Sequence, residues 1–346
     1  MPERCDVQKT SIEWCNFSSN PIYAVRKSDG KRGWACTHAS PGCLHCYSET
    51  INKRLGTGYP FTKKYEVEVE WRLNVQELAA WFRHKAAGKV FVCDMTDLWH
   101  PAIPDEYILS IIGVAAMTPW KTYQFLSKRP ERMRHIVETY TIADCLAIVY
   151  TATEDSPTLA RQFPLNEYRA DTAVQQGWPP KNTWWGVSVE SPEYLWRINE
   201  LCQIPAAVRF LSLEPLLAPI ELTGGRLPIY SHSGPPCCVE QKGFHRTQHK
   251  SLIHWVIVGG ESGPGARPCD LAWIRRIVQQ CQAAEVKCFV KQFGAVVIDT
   301  DRFQGARFIG YENKDYVKDI KVRLRHRKGG DPLEWPEDLR VREFPV

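Results

Sequence analysis

The stretch His254-Trp-Val-Ile-Val-Gly-Gly-Glu261 is a short, continuous apolar run that breaks off on two glycines and an acid. A run of this length, rich in β-branched and aromatic residues and bounded by a turn signal, reads as a buried strand. The pattern recurs at Lys89-Val-Phe-Val-Cys-Asp94, Thr122-Tyr-Gln-Phe-Leu-Ser127, Thr183-Trp-Trp-Gly-Val-Ser-Val-Glu190, Val208-Arg-Phe-Leu-Ser-Leu-Glu214 and Lys287-Cys-Phe-Val-Lys-Gln292. Stretches with helical spacing lie between or after these runs, at 104–117, 130–140, 192–202 and 271–284. Strand–helix alternation of this kind builds a parallel sheet. With one further strand leading into the loop at 34–46, the expected fold class is α/β: a partial or full β/α barrel of TIM type, with inserted loops.

Active sites of such folds form beyond the C-terminal ends of the strands. Those ends carry Asp94, Thr96 and Asp97, then Ser127, Lys128 and Arg129, then Ser188 and Glu190, then Ser212 and Glu214, then Glu261 and Ser262, and finally Lys291 and Gln292. Strand ends are often polar only because they meet solvent. Acids and bases placed directly after six strongly apolar runs argue instead for one shared rim.

The loop expected on the same rim reads Trp34-Ala-Cys-Thr-His-Ala-Ser-Pro-Gly-Cys-Leu-His-Cys-Tyr47 and spaces three thiols as Cys36-x6-Cys43-x2-Cys46. Three thiolates leave one position open on a metal or on a four-iron cluster. Zinc would need a fourth ligand, for which His38 and His45 stand nearby. On an iron–sulfur cluster the open iron is the place where radical enzymes take S-adenosylmethionine (SAM).

Composition narrows the setting. The 346 residues include 44 basic and 39 acidic side chains, a net charge of +5, which permits a nucleic-acid partner without demanding one. No run approaches the roughly 18 apolar residues of a membrane span, and the N-terminus lacks an apolar signal core, so a cytoplasmic location is expected. The 13 cysteines are odd in number and scattered, unlike a disulfide framework. Cys145, Cys202, Cys281 and Cys288 read as small buried hydrophobes, and Cys15 as a spare thiol. The segments 141–182 and 222–253 read as insertions, the second carrying Cys237, Cys238, His245 and His249 in a spacing that fits no standard zinc pattern. The stretch 318–328 alternates basic and apolar residues, as a strand with a cationic solvent face would, and such an edge suits a phosphate chain. The expected division is an N-terminal segment to 33, a barrel over 34–294 and a C-terminal extension over 295–346.

The ordered blocks Ser11-Ile-Glu-Trp14, Ser40-Pro-Gly-Cys43 with Cys46-Tyr47, Met95-Thr-Asp-Leu98, Leu126-Ser-Lys-Arg-Pro-Glu-Arg132, Gly186-Val-Ser-Val-Glu190, Phe210-Leu-Ser-Leu-Glu-Pro-Leu216, Val258-Gly-Gly-Glu-Ser-Gly-Pro-Gly-Ala-Arg-Pro268, Lys291-Gln-Phe-Gly294 and Glu334-Trp-Pro-Glu337 resemble the phage-associated three-Cys-motif proteins. These are relatives of radical SAM enzymes, more distantly similar to spore photoproduct lyase. The resemblance implies a radical SAM-like barrel, a [4Fe-4S] cluster on Cys36, Cys43 and Cys46, SAM as second cofactor, and action on DNA or RNA. It further implies an electron donor for the cluster and a protein partner encoded nearby. The first cysteine gap is six residues, where the usual radical SAM loop has three.

On this reading Asp94, Ser188 and Glu190 suit the methionyl amine and ribose hydroxyls of SAM. Gly259, Gly260 and Glu261 form a candidate anion-binding turn beside it, and His45 stands where an aromatic residue lies against the adenine. Lys128 and Arg129 suit the methionyl carboxylate or a substrate phosphate. Lys128, Glu214 and Lys291 make up the candidate catalytic set. The alternative is a zinc or iron–sulfur nucleic-acid-binding protein without SAM chemistry. A metal-dependent hydrolase is a weaker third reading, because the chain shows no His-x-His or clustered His/Asp motif.

Overall fold

The computed structural model describes residues 7–222, 230–231, 250–302 and 321–345. The chain opens with β1 (Gln8–Lys9) and β2 (Phe17–Ser19), followed by the hairpin of β3 (Ile22–Arg26) and β4 (Arg32–Gly33). The cysteine loop, α1 (Tyr47–Leu55) and α2 (Lys63–Glu66) come next, before β5 (Val69–Leu73) returns to pair with β3. After α3 (Val75–Arg83) run β6 (Gly88–Val92), α4 (Asp105–Ala116), β7 (Lys121–Ser127) and α5 (Pro130–Thr139). The insertion before β8 (Thr183–Ser188) holds α6 (Ile142–Glu154), α7 (Pro157–Gln162) and α8 (Glu167–Gln176). Then follow α9 (Trp196–Cys202), β9 (Val208–Leu213), the short pair β10 (Tyr230–Ser231) and β11 (Lys250–Ser251), and β12 (Trp255–Gly259). The chain ends through β13 (Cys269–Asp270), α10 (Leu271–Ala283), β14 (Lys287–Gln292), β15 (Val297–Ile298) and β16 (Lys321–Val322).

The main sheet has eight strands in the order β1-β2-β6-β7-β8-β9-β12-β14, parallel throughout except for β1. Alternation divides its side chains. Val90, Val92, Tyr123, Phe125, Trp185, Val187, Leu211, Val256 and Val290 join the large core with the helices. Phe91, Phe210, Trp255, Ile257 and Phe289 form a second core on the opposite face, with Trp14 and Cys15. Strands three places apart in a flat sheet lie about 14 Å apart. Yet Trp14 reaches both Phe91 of β6 (ring centroids 4.6 Å) and Phe210 of β9 (6.3 Å), as well as Trp255 of β12 (6.2 Å). The sheet is therefore curled, a half-barrel around an aromatic floor.

The gap between the first and last strands is filled by the C-terminal stretch. Val290 donates its amide to Val341 O and Glu343 its amide to Cys288 O, which covers the free edge of β14. Phe344 packs on Trp255 and Phe289, and Lys89 of β6 sits 4.2 Å above its ring.

The expected strands and helices agree with the observed ones to within a few residues. The strand expected to lead into the cysteine loop is β2, but it does not do so directly. The β3–β4 hairpin intervenes, because Ile22–Arg26 pairs with β5 rather than extending the main sheet. The fold is a half-barrel; among the described residues the sheet does not close, and β1 and β14 are its two ends. No helix among the described residues is long and apolar enough to cross a membrane. Cys237, Cys238, His245 and His249 lie outside the described residues.

Candidate functional site: the clamped cysteine loop

The cysteine loop is tied at its base by one side chain. Asn52, fully buried in α1, accepts the Trp34 amide through Oδ1 (2.9 Å) and donates Nδ2 to Thr57 Oγ1 (2.8 Å) and Tyr59 O (2.9 Å). The loop then crosses the C-terminal rim of the half-barrel. Pro41–Cys43 forms a 3-10 turn, and Cys46 stands at the N-cap of α1.

Three of the acids at the strand ends hold this loop, directly or through basic intermediaries. Asp97 binds Arg129 Nη1 (2.7 Å), the Ser127 hydroxyl (2.8 Å) and the Lys128 amide (3.1 Å). Arg129 Nη2 in turn donates to Thr37 O (2.7 Å) and Thr37 Oγ1 (3.0 Å). Glu190 takes Lys128 Nζ (3.1 Å) and the Ser40 hydroxyl (2.7 Å) on one oxygen, and Arg197 Nη1 (2.9 Å) on the other. Glu261 holds Arg267 in a fork, and Arg267 Nη1 donates to Pro41 O (3.0 Å). Thr37, Ser40 and Pro41 are thus gripped one after another. Burial alone would raise the pKa of each of these acids. The cations and hydrogen bonds outweigh it and hold Asp97, Glu190 and Glu261 below their ordinary values.

Asp94 differs from its neighbours. Cys93 takes a left-handed φ of 60°, which turns Asp94 sharply off the end of β6. The carboxylate accepts from Asn20 Nδ2 (2.6 Å), and the Tyr47 hydroxyl donates to Asp94 O (2.6 Å). Among the described residues it has no ion-pair partner, and burial raises its pKa against the pull of Asn20 and Tyr47. Across the mouth, Glu214 accepts two bonds from Lys291 Nζ (2.8 and 3.0 Å).

Cys43 lies within electrostatic range of Cys36 and Cys46, and both Lys128 and Arg129 act on it. Burial pushes the Cys36 thiol up to about 11, with Arg129 opposing, and raises Cys46 as well. These are protonated thiols that a metal must deprotonate, not free nucleophiles. Among the described residues no group of three or more His, Cys, Asp or Glu side chains is arranged around one ion. His38 is paired with Glu49. The three cysteines offer an all-sulfur donor set, the ligand type that iron–sulfur clusters take, and Lys128 and Arg129 bring positive charge beside Cys43.

Several residues expected to meet a ligand are engaged by protein partners in the structure. Glu190 and Glu261 are struts beneath the loop, with their oxygens engaged by protein groups. Lys128 is bound to Glu190, and Lys291 to Glu214. The glycine turn is not an open anion nest: the Gly260 amide donates to Gln292 O (2.9 Å), and a Cβ there would lie 2.1 Å from Phe293 O. Gly260 permits close packing of β12 on β14. Ser188 sits on the inner face, with its carbonyl taken by Arg197. His45 is exposed beside Glu261 and Gly265, and Gly259 ends β12 against Gln292. Cys15 lies under the mouth in the aromatic floor, and burial, followed by Asp94, pushes its thiol up to about 12. The sequence pattern did not single out Arg197, Arg267, Asn52 or Asn20. Arg267 stands in a Gly-Pro-rich loop after Glu261, and that neighbouring acid was the available signal.

A family model described as a protein of unknown function, DUF5131, matches residues 9–334. No curated protein matches the chain. Among solved structures, spore photoproduct lyase complexed with dinucleoside spore photoproduct is similar at 10% identity and a TM-score of 0.34, over 62% of this chain and 50% of that one. A double mutant of the lyase with bound AdoMet and the dinucleoside spore photoproduct gives 9% identity and a TM-score of 0.32 over the same shares. The chain spans half the length of these lyase chains.

Proposed function

The chain belongs to the DUF5131 family, and from that premise and the geometry of its rim we propose that it is a radical SAM-type iron–sulfur enzyme acting on nucleic acid. The observation that carries the reading is the contrast along the rim. Three strand-end acids are spent on clamping a three-thiol loop over the mouth of the half-barrel, while a fourth, Asp94, stands half-buried beside it without a cation among the described residues. A half-buried carboxylate without a cation partner gains from an incoming ammonium or a pair of hydroxyls.

Cys36, Cys43 and Cys46 would hold the cluster. Bound there and reduced, such a cluster would supply the electron that cleaves SAM. Asp94 would bind the methionyl ammonium, with Asn20 and Tyr47 fixing the carboxylate's orientation. Lys128 and Arg129 set the charge beside Cys43. The aromatic floor of Trp14, Phe91, Phe210, Trp255 and Phe289 keeps water out from below. The Lys291–Glu214 pair closes the far side of the mouth and exchanges a proton with a substrate group placed between it and Asp94.

The test is to purify the protein without oxygen and measure iron, sulfide and zinc. SAM and dithionite are then added, and 5′-deoxyadenosine is assayed. Iron and sulfide together with 5′-deoxyadenosine are expected. Cys36→Ala, Cys43→Ala and Cys46→Ala lose both, whereas Cys145→Ala keeps both. Asp94→Asn keeps the cluster and loses SAM affinity by about tenfold or more, the worth of a charge-assisted hydrogen bond. A colourless protein that binds zinc and takes up no sulfide would overturn the reading.

A further inference from the structure

We infer that the cationic edge over Lys321–Lys328 is a preformed track for the sugar–phosphate backbone of a nucleic acid, leading to the cysteine loop. The track rests on the proposed function only for its direction. β16 pairs antiparallel with β15 (Val297 with Val322, Ile298 with Lys321), and among the described residues no third strand covers its other side. Val322 and Leu324 turn inward onto the main core. Lys321, Arg323, Arg325, Arg327 and Lys328 are exposed, and among the described residues none of them makes a side-chain ion pair. This sets them apart from the rim arginines Arg129, Arg197 and Arg267, each of which is bound to an acid. Glu334 is the acid bonded to this run, and its oxygens accept the Arg325 and His326 amides (2.5 and 3.3 Å) rather than a side chain. Only Lys321 and Val322 of this stretch lie in the strand, shorter than the expected one; residues 323–328 continue it as coil, a bend and a turn, so the five cations form a cluster on one exposed segment.

The segment is braced and joined to the rim. His326 Nδ1 accepts the Gly330 amide (2.9 Å), and Trp335 stacks on Phe293 (4.6 Å) while donating Nε1 to Gly329 O (3.0 Å). The Gly294 amide donates to Lys328 O (3.0 Å), and the Ala295 amide to Glu261 O (2.8 Å). Glu261 holds Arg267, which holds Pro41 of the cysteine loop. The cations therefore end within a short hydrogen-bonded path of the candidate centre. A cluster of exposed cations without an acid partner among the described residues, held on a braced segment, fits a run of phosphates, with little ordering entropy to lose on binding.

The test measures binding of fluorescent oligonucleotides (single-stranded DNA, duplex DNA and RNA) to the full chain over a range of salt. The wild type binds at least one of them, with affinity that falls as salt rises. The triple variant Arg323→Gln, Arg325→Gln, Arg327→Gln binds about tenfold or more weaker, and its salt slope is smaller by about 2 to 3, at roughly 0.7–0.9 for each phosphate no longer neutralised. It keeps the wild-type unfolding midpoint and cluster content. The double variant Arg161→Gln, Lys181→Gln, with cations placed elsewhere, stays within about twofold of wild type. An unchanged slope in the triple variant overturns the track, as does a wild type that binds no oligonucleotide, or one that binds polyglutamate or phosphatidylserine vesicles instead. Loss of binding in the triple variant of a protein that forms no cluster upholds the track and overturns the radical reading. A cluster that cleaves SAM beside an unchanged slope does the reverse.

Discussion

At the scale of single residues, the loop depends on His100. Its Nδ1 accepts the Ala102 amide (3.2 Å), so the ring proton is assigned to Nε2, which donates to Thr37 Oγ1 (2.9 Å). Burial, then the Arg129 charge, lowers its pKa from 6.5 to about 4. The unfolded chain therefore binds the proton at a higher pH than the native protein. Stability is fully present above pH 6.5 and falls as the pH drops from there toward 4, by roughly 3 kcal/mol at most. The clamp acids Asp97 and Glu190, whose pKa values are lowered, contribute their own losses only at more acidic pH. We expect the urea midpoint of the metal-free protein to fall across that window, with a shallower fall in His100→Asn. Equal slopes in the two proteins would rule His100 out as the source. None of this was legible in the sequence, where His100 is one polar residue after an apolar stretch. Its partners, Thr37 and Arg129, lie 63 and 29 positions away and meet it only through the fold.

At the scale of the element, the long first gap between cysteines has a physical explanation. Thr37, Ser40 and Pro41, the points where the three clamps attach, all fall inside it. Gly42 shows how closely the loop sits on its support, since a Cβ there would lie 2.5 Å from Glu190 Oε1. Glu190 cannot move aside, because Lys128 and Arg197 hold both of its oxygens. Gly42→Ala should therefore destabilise the protein by about 1–3 kcal/mol, the usual cost of overpacking. It should also lower iron content after reconstitution, measured against an unfolding curve of the same preparation. Normal iron uptake at an unchanged midpoint would show that the loop has slack. The strands were legible beforehand, because apolar runs that end abruptly depend only on local pattern. The rim acids could be located in the same way, but not their use. Whether an acid meets a ligand or an arginine is decided by which helix or loop passes beneath it, and Arg197 and Arg267 come from elements whose position no local pattern encodes.

At the scale of the whole molecule, the half-barrel is completed by its two ends. Trp14 plugs the floor from one terminus, and Val341–Phe344 borders β14 from the other, with Trp255 Nε1 donating to Glu343 O (2.8 Å). A chain ending at Arg340 loses that strand and the Phe344 ring and exposes a free parallel edge. It should melt well below the full chain and aggregate on heating, which light scattering during a thermal ramp will detect. Coincident melting curves would contradict the closing role of these residues. The ion-pair clamps have one more consequence. In small zinc domains the metal is the fold, and removing it unfolds the chain. Here the loop is held by Asn52, Arg129, Glu190 and Arg267 whether or not sulfur binds anything. If the proposed cluster is present, stripping it with a chelator should lower the melting temperature by only a few degrees. The centre would then be a socket rather than a keystone: on the proposed reading, an oxygen-damaged cluster could be lost and rebuilt in place, with the protein around it still folded.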